Sequence, residues 1–306
     1  MSKILYWTEL AKNLKEKIIQ KRIKYFSSNS DFYVWIIFIW DNSSSVVYVE
    51  KKKKFGEDIW LGVKIFWQTN FIKGGKIERW KDGKINGLDL SYNQICEIID
   101  FLNEDEKCVW IVLQQPMWDL SWEEVIKLVC RVNYKKDIDW LWGHIQWLST
   151  IWLINFLPAT SKSVYYLLDQ YGFGDMKWKK VSVIWQWIVS WKPIMLEAIK
   201  RWATVFSFNH NSDQKYMAKI SKESDYIISC TWKVHLVTSD FIRNDQSQII
   251  VDVGYGHRAG KPVWDVDIEN IKDKVLAYTP IPWWIWPLTV ACLFDNVFDL
   301  QELKGI

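Results

Sequence analysis

Glycine is scarce in this chain, at 13 of 306 residues against a usual share of about 7%. Cysteine is sparse as well. Cys96, Cys108, Cys130, Cys230 and Cys292 are odd in number and widely spaced, and no C-x-x-C occurs. That argues against a disulfide framework or a zinc ribbon and for a reducing, cytoplasmic setting. The four histidines, His144, His210, His235 and His257, form no H-E-x-x-H or comparable spacing, so no metal site is expected. The N-terminal stretch MSKILYWTELAKNLKEK carries charge throughout and lacks a secretory apolar region. At a net charge of +3 no face need be strongly basic, and no nucleic-acid partner is expected. The remaining composition, 49% hydrophobic and 25% charged, argues against a disordered or collagen-like chain and against a coiled coil. The length suits two domains with a sizeable core.

What is abundant is Trp, with 23 residues. Two segments, 140–157 and 275–294, are apolar enough to pass for membrane spans. Both owe much of that apolarity to Trp. The second also holds Pro280, Pro282 and Pro287 and reads as a poor helix. No membrane partner is expected.

Periodicity divides the chain into alternating elements. Residues 8–24 carry apolar residues at helical spacing among Lys and Glu and predict an amphipathic helix. The run YVWIIFIW at 33–40 predicts a buried strand, followed by a turn at Asp41-Asn42-Ser43-Ser44-Ser45 and a charged helix over 46–60. Residues 70–90, polar with Gly-Gly and Asp-Gly, predict an exposed hairpin or loop. A helix at 91–103, a strand at 108–114 and a helix at 120–131 follow. In the second half, strands at 181–185, 203–208, 226–230 and 248–253 alternate with helical stretches such as 191–201. That alternation predicts a parallel, doubly wound α/β sheet. The domain boundary falls near 145–160.

The positions of the Trp residues are informative. Trp185, Trp187 and Trp191 follow a predicted strand and open a helix, where a phosphate-binding turn places glycines. Trp202 sits where a helix must stop, a usual glycine cap position. Trp40, Trp140 and Trp264 adjoin turns, and Trp283, Trp284 and Trp286 crowd the Pro-rich segment PIPWWIWP. These slots call for positive φ or close backbone approach. Read with Gly in place of Trp, the segments become VIGQGIVSGKP, KRGATV, KPVGDVD and PIPGGIGPLT, and each makes local sense. Most of the Trp letters therefore stand in glycine positions. A UGA codon decoded as Gly in one genetic code and as Trp in another produces this pattern.

Several motifs then fall in one order. They are Ser45 to Lys52 (S-x-x-Y-x-x-x-K), Trp110 to Pro116 (resembling G-x-x-V-Q-L-P, with Gln115 for Leu) and Lys136 to Trp140 (K-D-V-D-G). Pro158-Ala159-Thr160 follows, with Ser161 in place of a second Pro, and then Trp185 to Pro193. Val251 to Gly254, Trp264 to Val266 and Pro280 to Thr289 complete the series. Over nearly its whole length the chain resembles the bifunctional methylenetetrahydrofolate dehydrogenase/methenyltetrahydrofolate cyclohydrolase family. The resemblance implies an α/β folate-binding catalytic domain over 1–150, completed by a returning C-terminal helix at 286–306. It implies a Rossmann-like NAD(P)-binding domain over 151–285. It also implies a cytoplasmic homodimer of one-carbon metabolism that needs no metal.

The resemblance also assigns roles. Lys52 is the central catalytic group, with Tyr48 one turn away on the same predicted helix face and Gln114 orienting the amine. Taken alone, a Lys in the run Lys51–Lys54 reads as a solvated face. Asp139 grips the pterin donors through a charge-assisted contact. Pro282, Trp283, Trp284, Ile285 and Trp286 form a close wall beside the folate. Trp185, Gln186 and Trp187 form the dinucleotide turn, His210 stands near the ribose, and Tyr255 lies near the nicotinamide. The absence of an acid after strand 203–208 favours NADP, with NAD still open. Departures from the family pattern are an insertion near 70–90, Ser161, Gln186 and the stretch Trp142 to Ile145. The competing reading is a Trp-rich, catalytically inactive descendant acting as a binding or scaffold protein.

Overall fold

The structure, a computed structural model, describes residues 2–26, 32–38, 43–67, 70–73, 76–79, 92–115, 117, 120–139, 143–185, 191–231, 233–258, 261–280 and 286–303. In chain order the strands are β1 (Lys3–Ile4), β2 (Tyr33–Phe38), β3 (Gly62–Trp67), β4 (Asn70–Lys73), β5 (Lys76–Arg79), β6 (Cys108–Leu113), β7 (Lys180–Trp185), β8 (Thr204–Phe208), β9 (Tyr226–Cys230), β10 (Ile249–Asp252), β11 (Tyr255–Arg258), β12 (Lys261–Trp264) and β13 (Ala277–Tyr278). The helices are α1 (Thr8–Tyr25), α2 (Ser43–Asp58), α3 (Tyr92–Glu104), α4 (Trp122–Arg131), α5 (Gly143–Thr150), α6 (Ala159–Gln170), α7 (Trp191–Lys200), α8 (Gln214–Glu223), α9 (Ile268–Ile271) and α10 (Trp286–Leu303). The chain is α/β and forms two compact units.

One unit joins Leu14–Phe156 to Val290–Ile306. Its sheet runs β3-β2-β6, with both pairings parallel. Every residue of β2 and of β6 is buried. This is why these strands read as unbroken apolar runs rather than alternating ones: a parallel strand is covered on both faces. Ile37, Ile99, Leu113 and Leu128 share one core cluster that joins β2, α3, β6 and α4.

The other unit joins Met1–Asn13 to Leu157–Thr289. Its sheet has the order β1-β13-β10-β9-β7-β8, parallel throughout. From β7 the chain moves outward to β8, then crosses back to place β9 on the other side of β7. The strand order therefore reverses at β7 and β9. In open parallel sheets a ligand crevice opens at such a reversal, beyond the carboxyl ends of the strands. Ile184, Ile227, Ile250 and Val266 lie in the core beneath it.

Several element boundaries differ from the sequence reading. Helix α2 begins at Ser43, inside residues read as a turn, because serines favour both turns and helix first turns. Within the segment expected as a hairpin or loop, β4 and β5 pair antiparallel, and 74–75 and 80–91 lie outside the described residues. The Pro-rich apolar stretch does carry a helix. Pro280 precedes α10 and Pro287 sits in its first turn, where a missing N–H costs nothing. No helix among the described residues is long and apolar enough to cross a membrane.

Helix α4 opens with a reciprocal cap. The Ser121 Oγ accepts from the Glu124 N–H at 3.3 Å, and the Glu124 carboxylate accepts from the Ser121 N–H at 2.8 Å. Ser121→Ala is expected to cost about 1 kcal/mol. Ile99→Ala, at a fully buried α3 position, is expected to cost roughly 2–5 kcal/mol. Denaturant midpoints of the two variants measure both losses.

Candidate active site

Helix α2 places Tyr48 and Lys52 one turn apart, and the Lys52 Nζ lies 4.6 Å from the centre of the Tyr48 ring. The same Nζ donates to the Gln114 Oε1 at 3.0 Å. Gln114 directly follows β6, and its backbone N–H is tied to the Ile37 carbonyl of β2 at 2.9 Å. Its side-chain Nε2 donates to the Gln115 carbonyl at 2.6 Å. With the amide nitrogen held there, the amide oxygen faces the lysine. Within the run Lys51–Lys54, Lys51 and Lys54 are exposed and read correctly as a solvated face. Lys52 is only 3% exposed.

Asp139 completes the cluster. It lies on a strap that begins at Asp137, which bridges to Ile111 of β6. The Asp137 carboxylate accepts from the Asp139 N–H at 3.1 Å. From α10, the buried Asn296 Nδ2 donates to the Ile138 carbonyl at 3.2 Å. Burial lowers the Lys52 pKa, with the nearby Asp139 carboxylate opposing that shift. Burial raises the Asp139 pKa, with Lys52 opposing. Both groups are thus biased toward their neutral forms, the condition under which an amine can take up and release a proton at little cost. The Tyr48 hydroxyl is pushed upward by burial, then by Asp139 and Cys292, so it stays a neutral donor. Sequence reasoning assigned nothing to Cys292 or Asn296. For Asn296 the one local signal was the polar pair Asp295-Asn296 inside the apolar run of α10, a pair that does not point to Ile138; Cys292 left none.

In the other unit, three of the expected dinucleotide residues, Trp185, His210 and Tyr255, end or follow strands of the six-stranded sheet. Trp185 ends β7. Its side chain, together with Gln186 and Trp187, lies outside the described residues. His210 is exposed in the turn after β8. That turn is closed by the Asn209 N–H on the Ser212 Oγ at 2.9 Å and by the Asn211 N–H on the Asn209 Oδ1 at 2.9 Å. The first carboxylate beyond it, Asp213, caps α8 by accepting from the Tyr216 N–H at 2.7 Å. The β8 turn, residues 209–212, therefore presents no carboxylate of the kind that grips a ribose 2′-OH, which fits NADP better than NAD. Tyr255 opens β11 opposite Trp264. Pro282, Trp283, Trp284 and Ile285 lie outside the described residues. Trp286 is the first residue of α10, and its side chain is not described.

Two buried carboxyls stand at the ends of β10 and β12. The Asp252 carboxylate accepts from the Val266 N–H at 2.9 Å. The Asp265 carboxylate accepts from the Ser229 Oγ at 2.9 Å and from the Thr231 N–H at 2.5 Å. They clasp the ends of β9 and β10 to the segment after β12. Gly254 lies against the Asp265 carboxylate so closely that a Cβ there would stand 2.2 Å from its oxygen. Burial raises the Asp265 pKa to about 6. Asp252 is pushed well above the usual range by burial and by Asp265.

Residues 158–304 match the family model described as tetrahydrofolate dehydrogenase/cyclohydrolase, NAD(P)-binding domain. Among curated proteins, the chain is 29% identical over 307 residues to the bifunctional protein FolD of Lactobacillus acidophilus, covering all of this chain and 99% of that one. It is 28% identical to that of Aquifex aeolicus, covering 99% and 97%. Among solved structures, FolD methylenetetrahydrofolate dehydrogenase/cyclohydrolase from Campylobacter jejuni superposes with a TM-score of 0.84 at 23% identity, covering 99% of this chain and 100% of that one. The Trypanosoma brucei enzyme, solved with NADP cofactor and inhibitor, gives 0.84 at 19% identity, covering 99% and 98%. The two-unit α/β fold is the fold of these structures.

The Asp265 carboxyl makes stability depend on pH. Its native pKa lies above the unfolded value of about 3.9, so the folded state holds the extra proton. The contribution is present below about pH 4 and is lost as pH rises through 6. Melting temperatures across this window should fall more steeply for the parent chain than for Asp265→Asn. Parallel profiles would contradict the assignment.

Proposed function

We propose, from the match of residues 158–304 to the tetrahydrofolate dehydrogenase/cyclohydrolase NAD(P)-binding domain model, that the chain oxidises 5,10-methylenetetrahydrofolate with NADP⁺ and hydrolyses the product. The first reaction gives 5,10-methenyltetrahydrofolate and the second 10-formyltetrahydrofolate. The observation that carries the reading is the buried Lys52 amine, hydrogen-bonded to Gln114 beside Tyr48 and Asp139. NADP⁺, when bound, supplies the hydride acceptor. His210 and its turn would hold the ribose end, and the residues around Trp185–Trp187 the phosphates.

The chain's own residues do the rest. Asp139 accepts from the pterin amino and ring N–H groups, an interaction that favours its ionised form once substrate is present. Tyr48 supplies a neutral hydroxyl donor and a ring face beneath the lysine. In the hydrolytic step a water oxygen bonds to the methenyl carbon and loses a proton to the Lys52 amine. Lys52 then returns that proton to the pterin nitrogen as its bond to the carbon breaks, while the adduct's hydroxyl oxygen releases its remaining proton to water and becomes the carbonyl, leaving the formyl group on the other nitrogen. Gln114 accepts from Nζ and keeps the amine aimed throughout. The same reading carries a cytoplasmic, homodimeric enzyme.

Enzyme purified from its native host should form the methenyl product from methylenetetrahydrofolate and NADP⁺, followed by its absorbance. Absence of turnover at saturating substrate would refute the proposal. Lys52→Met should reduce hydrolysis by roughly 10²–10⁴-fold, the usual contribution of a positioned acid–base group. Asp139→Ala should act chiefly on the folate KM.

A further inference from the structure

Four helices of the structure end in one and the same left-handed turn. After α6, Gly172 has φ +79°; its N–H donates to the Asp169 carbonyl at 3.1 Å, and the Phe173 N–H donates to the Leu168 carbonyl at 2.8 Å. This is the Schellman arrangement, whose left-handed residue is ordinarily glycine because a Cβ clashes there. After α2 the same two bonds run from Trp60 to Glu57 at 3.1 Å and from Leu61 to Gly56 at 2.9 Å, with Trp60 at φ +56°. After α5 they run from Trp152 to Ser149 at 3.1 Å and from Leu153 to Leu148 at 3.0 Å, with Trp152 at φ +63°. After α7 they run from Trp202 to Ile199 at 2.9 Å and from Ala203 to Ala198 at 3.0 Å, with Trp202 at φ +63°.

A fifth position follows a related rule. The Lys179 N–H donates to the Met176 carbonyl at 2.9 Å, and Trp178, third residue of that four-residue turn, has φ +65°. Positive φ at this place in a turn again calls for glycine. Burial does not compensate. Trp60, Trp152, Trp178 and Trp202 are 65%, 50%, 85% and 69% exposed, so little of each large apolar side chain is removed from water. Among the described residues, the other non-glycine positions with positive φ are His235 and Gln246. Chance would not give four of six such places to a residue type that fills 23 of 306 positions.

We infer that the protein made by its source carries glycine at positions 60, 152, 178 and 202. The codon written there as Trp is one that the source decodes as glycine. The inference stands on backbone geometry and does not depend on the proposed reaction. One decoding rule applies wherever the same codon occurs. It therefore extends to Trp185 and Trp187, two letters of the sequence segment in which a phosphate-binding turn calls for glycine.

Peptide mass spectrometry of the protein isolated from its native host decides the matter. Peptides spanning the four positions should carry the mass of glycine, and a tryptophan mass at them would overturn the inference. The gene offers a second reading: UGA at these codons is expected, and UGG would overturn it. A third test needs no native material. In recombinant chains, the combined Trp60→Gly, Trp152→Gly, Trp178→Gly and Trp202→Gly variant should melt several degrees above the all-Trp chain. An unchanged or lower melting temperature would show that these turns do not require glycine.

Discussion

Both main sheets are parallel, and that constraint shapes the rest of the molecule. A parallel strand cannot be reached by a tight hairpin, so each return runs through a crossover that also covers a face of the sheet. The strands are consequently buried on both sides, as the unbroken burial of β2, β6, β9 and β10 shows. Two of these crossover helices, α2 and α7, stop in left-handed turns at Trp60 and Trp202, whereas α8 ends at Ser224 with an extended backbone.

The same constraint places the chemistry. Reactive groups gather where strands end, because there the backbone leaves the ladder and side chains can converge without breaking it. Gln114 is the first residue past β6 and still shares a hydrogen bond with β2, so its amide is anchored at the sheet's end. Lys52 reaches it from the helix that follows β2. Burying an amine is costly, and the cost is offset by the Gln114 oxygen, the Tyr48 face and the Asp139 carboxylate. What remains is a lysine biased toward its neutral form. In the other unit, Asp252 and Asp265 use the same strategy differently. Their carboxyls tie strand ends together, and their raised pKa values are the electrostatic cost of that position.

The Tyr48–Lys52 pair was legible in the sequence because a four-residue spacing on a helix has one geometric outcome. The parallel strands were legible because double burial writes continuous apolar runs. Lys52 could be separated from Lys51 and Lys54 only through a resemblance, since four consecutive lysines look alike until a fold turns one of them inward. Asn296 and Cys292 stayed hidden for a similar reason. They come from a helix far along the chain, and no local pattern links them to Ile138 or Tyr48.

The sequence by itself determined the α/β class, the alternation of strands and helices, and the anomaly of Trp in places suited to glycine. These are local properties, set by periodicity and by what a few neighbouring residues can do. Only the tertiary structure decided which lysine is buried, which amide orients it, and which Trp residues stand at positive φ. Burial and long-range hydrogen bonds arise when distant segments meet, and the chain's order alone does not specify them; the left-handed turns are local, but which Trp occupies one depends on where each helix stops against its neighbours.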